Sequence, residues 1–248
     1  MRGFWRPPRF TLPLAAVCRL IGCFIGLLVE IMSEKKVIKQ MAPSGRKRTR
    51  LSTQARREQL LRSAVRMCAE VGISRVSHAD IANDAKVSVA TVFVYFPTRQ
   101  ALIDEILKEV RRYLLEIMLS VSRDTPARVT VFGLLWECIK SSRSEPQYMR
   151  VWLEWGSVIR DDLRPRYLAI QEESTAMIRG ILEKGQKDGN VDPRLDIDMA
   201  ARMLAEGSRS VAAMVFSDLD SENLESLVWN WVDGALQMGL RSPYVAES

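Results

Sequence analysis

A chain of 248 residues with 47% hydrophobic and 27% charged side chains can bury the core of one or two globular domains, which excludes a wholly disordered protein. Its single histidine, His78, excludes a multi-histidine metal centre, and Cys18, Cys23, Cys68 and Cys138 lack paired metal-ligand spacing. The net charge of +6 is unevenly spread: residues 33–62 hold ten Lys or Arg against two Asp or Glu, whereas the sequence beyond them is net acidic. A basic segment joined to an acidic body points to a polyanion met at one end.

Residues 1–31 join Arg2, Arg6 and Arg9 to an apolar run ending Ile21-Gly-Cys-Phe-Ile-Gly-Leu-Leu-Val29, which has the outline of a signal peptide or short anchor. Pro13 and Arg19 interrupt the run, no small-x-small cleavage site follows, and it falls well short of the roughly 20 residues that span a bilayer. Met32 and Met41 can each start a chain, so residues 1–31 are expected to be translated upstream sequence, and no membrane partner is expected. Residues 33–50 are polar, basic and broken by Pro43 and Gly45, with no apolar face, which predicts a disordered arm. Arg46, Lys47, Arg48 and Arg50 stand just before the first helix. There they could enter a minor groove or clamp phosphates without regard to sequence.

Ser52 caps the first predicted helix, Gly72 ends it, and Leu60, Leu61, Ala64, Val65, Cys68 and Ala69 form its inner face. Ser77 followed three residues later by Asp80 is a capping box that opens a second, short helix with Ile81, Ala82 and Ala85 inward. Lys86-Val87 is a turn, and Ser88 caps a third helix with Val89, Val92 and Phe93 inward. Pro97 stops it, because proline cannot donate a backbone hydrogen bond. Two short helices joined by a tight turn form a helix-turn-helix pattern over 77–96. The expected core of this three-helix unit is closed by Ile73, Val76, Ile81, Val87, Val92, Phe93 and Phe96. Ser88, Ala90 and Thr91 keep the outer face of the third helix small and polar, as a helix lying in a major groove requires. The competing reading is a helical hairpin inside an all-α core.

Thr98 then caps a long helix reaching about Ser120, through Leu102, Ile103, Ile106, Leu107, Val110, Leu114, Ile117 and Met118, a lever longer than a reader unit needs. Further helices are expected over 126–141, with Val129, Phe132, Leu135, Trp136 and Ile139 inward, from Glu145-Pro146 onward, and over 163–187, ending at Gly189. Asp192-Pro193 separates these from two last helices, 196–216 and 221–240. Small residues crowd the first of the two (Ala200, Ala201, Ala205, Gly207, Ser208, Ser210, Ala212, Ala213), and Leu224, Leu227, Val228, Trp231, Ala235 and Met238 line the second. Together they suit an intersubunit four-helix bundle; ordinary intrachain packing is the alternative. Phe132, Trp136, Cys138, Met149, Trp152, Trp155, Met177 and Ile178 could line a pocket for a small apolar ligand, or be plain core. Strand periodicity is scarce and the fold class is all-α. The expected domains are an extension and arm over 1–45, a helix-turn-helix domain over 54–114 and a helical regulatory and dimerisation domain over 120–242.

The block Ala79-Asp-Ile-Ala, then Val87-Ser-Val-Ala-Thr-Val-Phe-x-Tyr-Phe-Pro-Thr-Arg99 with Leu102 after it, resembles the DNA-binding signature of the tetracycline-repressor (TetR) family. It is most similar to the LuxR/HapR branch, the quorum-sensing master regulators of vibrios, through His78-Ala-Asp-Ile-Ala and Ser88-Val-Ala-Thr-Val-Phe. A weaker likeness continues through Val151-Trp-Leu-Glu-Trp155, so about residues 45 to 240 are covered. The resemblance implies a cytoplasmic, homodimeric transcription regulator of double-stranded DNA that dimerises through its last two helices and binds a ligand in its helical domain. Val94 departs from the branch, which usually has Asn there; Asn can hydrogen-bond a base edge and Val cannot. The DNA-binding residues expected are Arg46, Lys47, Arg48, Arg50, Lys86, Ser88, Ala90, Thr91, Tyr95 and Arg99. Of these, Thr91, Tyr95 and Arg99 are assigned mainly to phosphates, and Ala90 to a thymine methyl. No cofactor, metal or catalytic residue is expected: there is no phosphate-cradling glycine loop and no nucleophile with a nearby base. The regulator is expected to serve a cell-density regulon. The alternative is a ligand-relieved local repressor of an efflux or catabolic operon.

Overall fold

Local signals set the helix boundaries. Ser52 Oγ accepts the Ala55 N–H at 3.1 Å and opens α1 (Thr53–Val71), which stops at Gly72 with φ +94°. The Ser77–Asp80 capping box opens α2 (His78–Ala85), Ser88 caps α3 (Val89–Tyr95), and Thr98 caps α4 (Arg99–Ser120). Then follow α5 (Ala127–Ser144), α6 (Pro146–Ser157), α7 (Leu163–Lys187), α8 (Ile197–Met214) and α9 (Ser221–Ala235). The computed structural model describes residues 51–157, 163–217 and 220–238, and among these every regular element is helical. The segment 1–31, the arm with Arg46, Lys47, Arg48 and Arg50, Cys18 and Cys23 lie outside the described residues. So do residues 239–242; α9 ends at Ala235 and turns on to Met238, whose carbonyl accepts the Asp196 N–H at 3.1 Å.

Burial divides the chain into two cores. In the first, Leu60, Ala64, Val65 and Cys68 of α1 meet Ile81 of α2, Val92 of α3, Phe96, and Leu102, Ile106 and Val110 of α4. This core does not close on the reader helices. It continues into Met149, Val151, Trp152 and Trp155 of α6 and Tyr167 and Ile170 of α7. The second core gathers Leu135 and Ile139 of α5, Leu182 of α7, Ala200, Ala201 and Leu204 of α8, and Leu224, Val228 and Val232 of α9. Fully burying each large aliphatic side chain contributes about 2 kcal/mol, so cores of this size, rather than helix propensity, hold the helices in place.

Three expected inner positions are corrected. Val89 and Phe93 are 40% and 46% exposed, because α3 is only seven residues long and lies against α2 along the narrow ridge of Val92, with Phe96 just beyond it. Val129 is 44% exposed, since the core side of α5 is the stripe Ala127, Val131, Leu134, Leu135 and Cys138. Most of the small residues of α8 serve the chain's own core: Ala200, Ala201, Ala205, Gly207 and Ala212 are buried within one subunit.

Candidate nucleic-acid interface

The reader is assembled from short-range hydrogen bonds. Ser77 Oγ accepts the Asp80 N–H at 3.3 Å, and Asp80 Oδ2 accepts the Ser77 N–H at 2.9 Å. At the other end of α2, Lys86 takes φ +56°, the left-handed region, and the Val87 N–H closes on the Ala82 carbonyl at 3.0 Å. A lysine there costs about 1–2 kcal/mol relative to the right-handed region; the turn that results brings α3 against α2 and leaves the Lys86 side chain exposed beside Ser88. Ser88 Oγ accepts the Thr91 N–H at 3.2 Å and shares a 2.8 Å hydrogen bond with Thr91 Oγ1.

His78 ties the two helices together. Its Nε2 lies 2.7 Å from the Phe96 carbonyl, and its ring stacks on Phe93 with centroids 4.0 Å apart and planes 9° from parallel. The solvent side of α3 is then Val89, Ala90, Phe93 and Val94, with Val94 77% exposed. Thr91 and Tyr95 are half-buried at its flank, and Tyr95 packs on the first core. A short helix with its inner ridge anchored and its outer ridge exposed can be inserted into a groove as a rigid piece.

Other ties hold this unit from behind. Arg66 makes a two-pronged pair with Asp84, joining α1 to α2. Burial raises the pKa of the Asp84 carboxyl, but hydrogen bonds from Arg66 and Ser63 outweigh this and hold it below the usual range. Arg57 pairs with Glu105 across α1 and α4. Arg99 Nη2 donates to the carbonyls of Ile73 at 2.9 Å and Ser74 at 2.7 Å, so this expected phosphate ligand is also a brace of the α1–α2 turn.

Sequence reasoning missed the brace on the other side of that turn. Glu154 Oε1, from α6, accepts the Ile73 N–H at 3.0 Å. A Cβ on Gly72 would stand 2.9 Å from the same oxygen, so glycine is needed there for its φ and for the close approach. Glu154 belongs to the Val151–Trp155 run already singled out, but its partner lies 81 residues away in the chain, which no local pattern reveals.

Glu154 sits between Trp152 and Trp155 in the sequence, and Trp152 lines an interior cavity. This cavity of about 40 Å³ lies among α4, α5, α6, α7 and α8, lined by Leu114, Cys138, Trp152, Ile170, Ile178 and Ser208 among others. Trp152 Nε1 and Gln171 Nε2 are buried without a hydrogen-bond partner. Of the eight expected pocket residues, Cys138, Trp152 and Ile178 line this cavity, and Met149 and Trp155 are buried in the same core. Phe132 and Trp136 lie elsewhere, Phe132 stacking on Trp229 at 3.8 Å, and Met177 is half-buried outside the lining. Burial pushes the Cys138 thiol up to about 12. The volume suits roughly one water molecule, against about 300 Å³ or more for a typical ligand site.

With this geometry in view, known proteins place the chain. The family described as bacterial regulatory proteins, tetR family, matches residues 60–106, from mid-α1 into α4. The HTH-type transcriptional regulator LuxR of Vibrio harveyi is 30% identical over 194 residues, covering 78% of this chain and 93% of that protein. Among solved structures, the regulator FadR from Bacillus subtilis in complex with stearoyl-CoA superposes with a TM-score of 0.60 at 18% identity, over 72% of this chain and 97% of that one. The TetR family regulator CifR, as a cysteine mutant complexed with 26bp double-strand operator DNA, gives a TM-score of 0.60 at 18% identity, over 76% and 98%. These relatives regulate transcription and are not enzymes, and among the described residues no helix is long and apolar enough to cross a membrane. The reader helices, the helical body behind them and the similarity to LuxR along nearly its whole length make this chain a member of the TetR family of bacterial transcriptional regulators.

Proposed function

We propose that the chain works as a homodimer that reads a pseudo-palindromic operator with α3 and its basic arm, and that it governs many promoters in answer to cell density. The observation that carries this reading is the 30% identity to LuxR sustained over 93% of that protein, together with a reader motif similar to the quorum-sensing branch. Ser88, Ala90, Thr91 and Tyr95 lie in or at the major groove in this reading, with Thr91 and Tyr95 largely on phosphates. Lys86, Arg99 and the arm's Arg46, Lys47, Arg48 and Arg50 supply phosphate contacts. A single reader helix spans only a few base pairs, and a two-fold pair doubles the contact with half-sites about one turn or a multiple of it apart. Genome-wide binding in the native cell is the test. Dozens of occupied promoters are expected, and occupancy confined to one neighbouring operon would overturn the cell-density role.

A ligand-relieved local repressor is the second reading. The partnerless indole N–H of Trp152 at the cavity favours it, as does the fold shared with a regulator solved with stearoyl-CoA. Such a ligand would have to enlarge the cavity from its present size, and it would raise the melting temperature of the purified protein while lowering its affinity for DNA.

A further inference from the structure

We infer that α3 selects thymine through its C5-methyl group, with Val94 as the chief selecting residue and Ala90 beside it. The inference rests on the DNA-reading proposal above and specifies its chemistry. The seven residues of α3 offer few side-chain hydrogen-bonding groups. Thr91 Oγ1 is engaged with Ser88 Oγ at 2.8 Å, and that same Ser88 oxygen is held by the Thr91 N–H at 3.2 Å. The cap therefore turns these two hydroxyls toward each other and the backbone and uses part of their hydrogen-bonding capacity. Tyr95 is half-buried against the core at the helix's flank.

What α3 turns outward is hydrocarbon. Ala90 and Val94 are four residues apart and share one ridge, opposite the buried Val92 and Phe96. Phe93, held on the His78 ring at 4.0 Å, and Val89 form the adjoining ridge. A valine left 77% exposed near the C-terminal end of this face can offer neither a donor nor an acceptor to guanine, adenine or cytosine. The major-groove feature it complements is the thymine methyl, the one apolar group on a base edge. The exposed Lys86 at the turn before α3 and the basic sequence of residues 33–62 favour a nucleic acid as the occupant over an apolar protein surface.

The experiment uses the full chain and an operator selected from a random duplex library, with each thymine replaced in turn by deoxyuridine, which removes only the methyl. Affinity is read by fluorescence anisotropy at one stated ionic strength. One or two thymines in each half-site are expected to lose about fourfold on replacement, the value of one buried methyl. Val94→Ala should bind the thymine and uracil duplexes with closely similar affinities at one such position, with its salt dependence unchanged, and 5-methylcytosine placed there should regain part of the affinity. Val94→Asn should lose the methyl preference and shift the base selected. Uracil tolerated at every position, or a uracil penalty that persists unchanged in both Val94→Ala and Ala90→Gly, would overturn the inference and leave the DNA-reading proposal standing. Failure to select any duplex would overturn both.

Discussion

His78 shows how one residue can serve the reader without touching DNA. It lies at the first position of α2, yet its ring nitrogen meets the Phe96 carbonyl beyond the end of α3 and its face carries Phe93. His78→Ala removes a buried hydrogen bond and the stack at once, so it should lower stability by about 2–3 kcal/mol; urea unfolding at fixed protein concentration checks this. His78→Gln can restore the hydrogen bond but not the stack and should recover about half. The sequence revealed the caps on either side of this contact because each is a bond within three or four residues. The contact itself was hidden: Phe93 reads as an inner position by spacing, and only the placement of His78 from another helix shows that it is held at the surface. The thiols carry a second expectation. Burial pushes Cys68 up to about 12, aided by the nearby charge of Glu154, and burial likewise takes Cys138 up to about 12. Both should resist alkylation at neutral pH in the folded protein and react on unfolding, as mass spectrometry of the labelled peptides would record.

Between elements, the informative contacts join the reader to α6 and α7. The α1–α2 turn is gripped on one side by Arg99 of α4 and on the other by Glu154 of α6. Glu154 thus ties α6, which also carries Trp152 at the cavity, to the turn that precedes α2 and α3. Glu154→Ala leaves the Ile73 N–H without this acceptor and should cost about 1–3 kcal/mol. Glu154→Gln keeps an oxygen in place and should recover most of it, and the paired melting curves decide. The long helix α4 is tied to α7 by Arg166 on Asp104, and the hydrogen bond from that guanidinium holds the Asp104 carboxyl below its usual range. A carboxylate lowered on folding adds stability that is present above its unfolded pKa, about 3.9, and is lost as pH falls through the lower folded value. Stability should therefore drop on acidification below about pH 4, and Asp104→Asn should flatten that part of the profile. Helical periodicity made the helices of this region legible with bounds close to those observed. It could not pair them, because Arg166 and Asp104 lie 62 residues apart and surface charges carry no signature of their partner.

At the scale of the whole molecule, the proposed dimer turns on which small residues serve the chain itself and which await a second copy. Composition alone made α8 look like a subunit interface, but Gly207 is committed within the chain. A Cβ there would land on the Trp231 indole, whose Nε1 donates to the Met203 carbonyl at 3.3 Å. Gly207→Ala should therefore cost about 1–3 kcal/mol by forcing α8 and α9 apart, whatever the state of association. Gly234 differs. It is exposed in the last turn of α9, and apart from its own helix backbone and chain neighbours no described atom lies within 4 Å of an added Cβ. It shares the outer face with Asn223, Leu227 and Asn230, beside the exposed Met199 and half-buried Met203 of α8. If a second α8–α9 pair covers this face, Gly234→Arg should leave helix content unchanged while sedimentation falls to the mass of one subunit. Affinity for a two-half-site duplex should then drop about a hundredfold or more, because the second reader is no longer held near its half-site. A Gly234→Arg protein that still sediments as a pair would mean that the subunits meet through another surface, and the half-site spacing would then have to be derived from that surface.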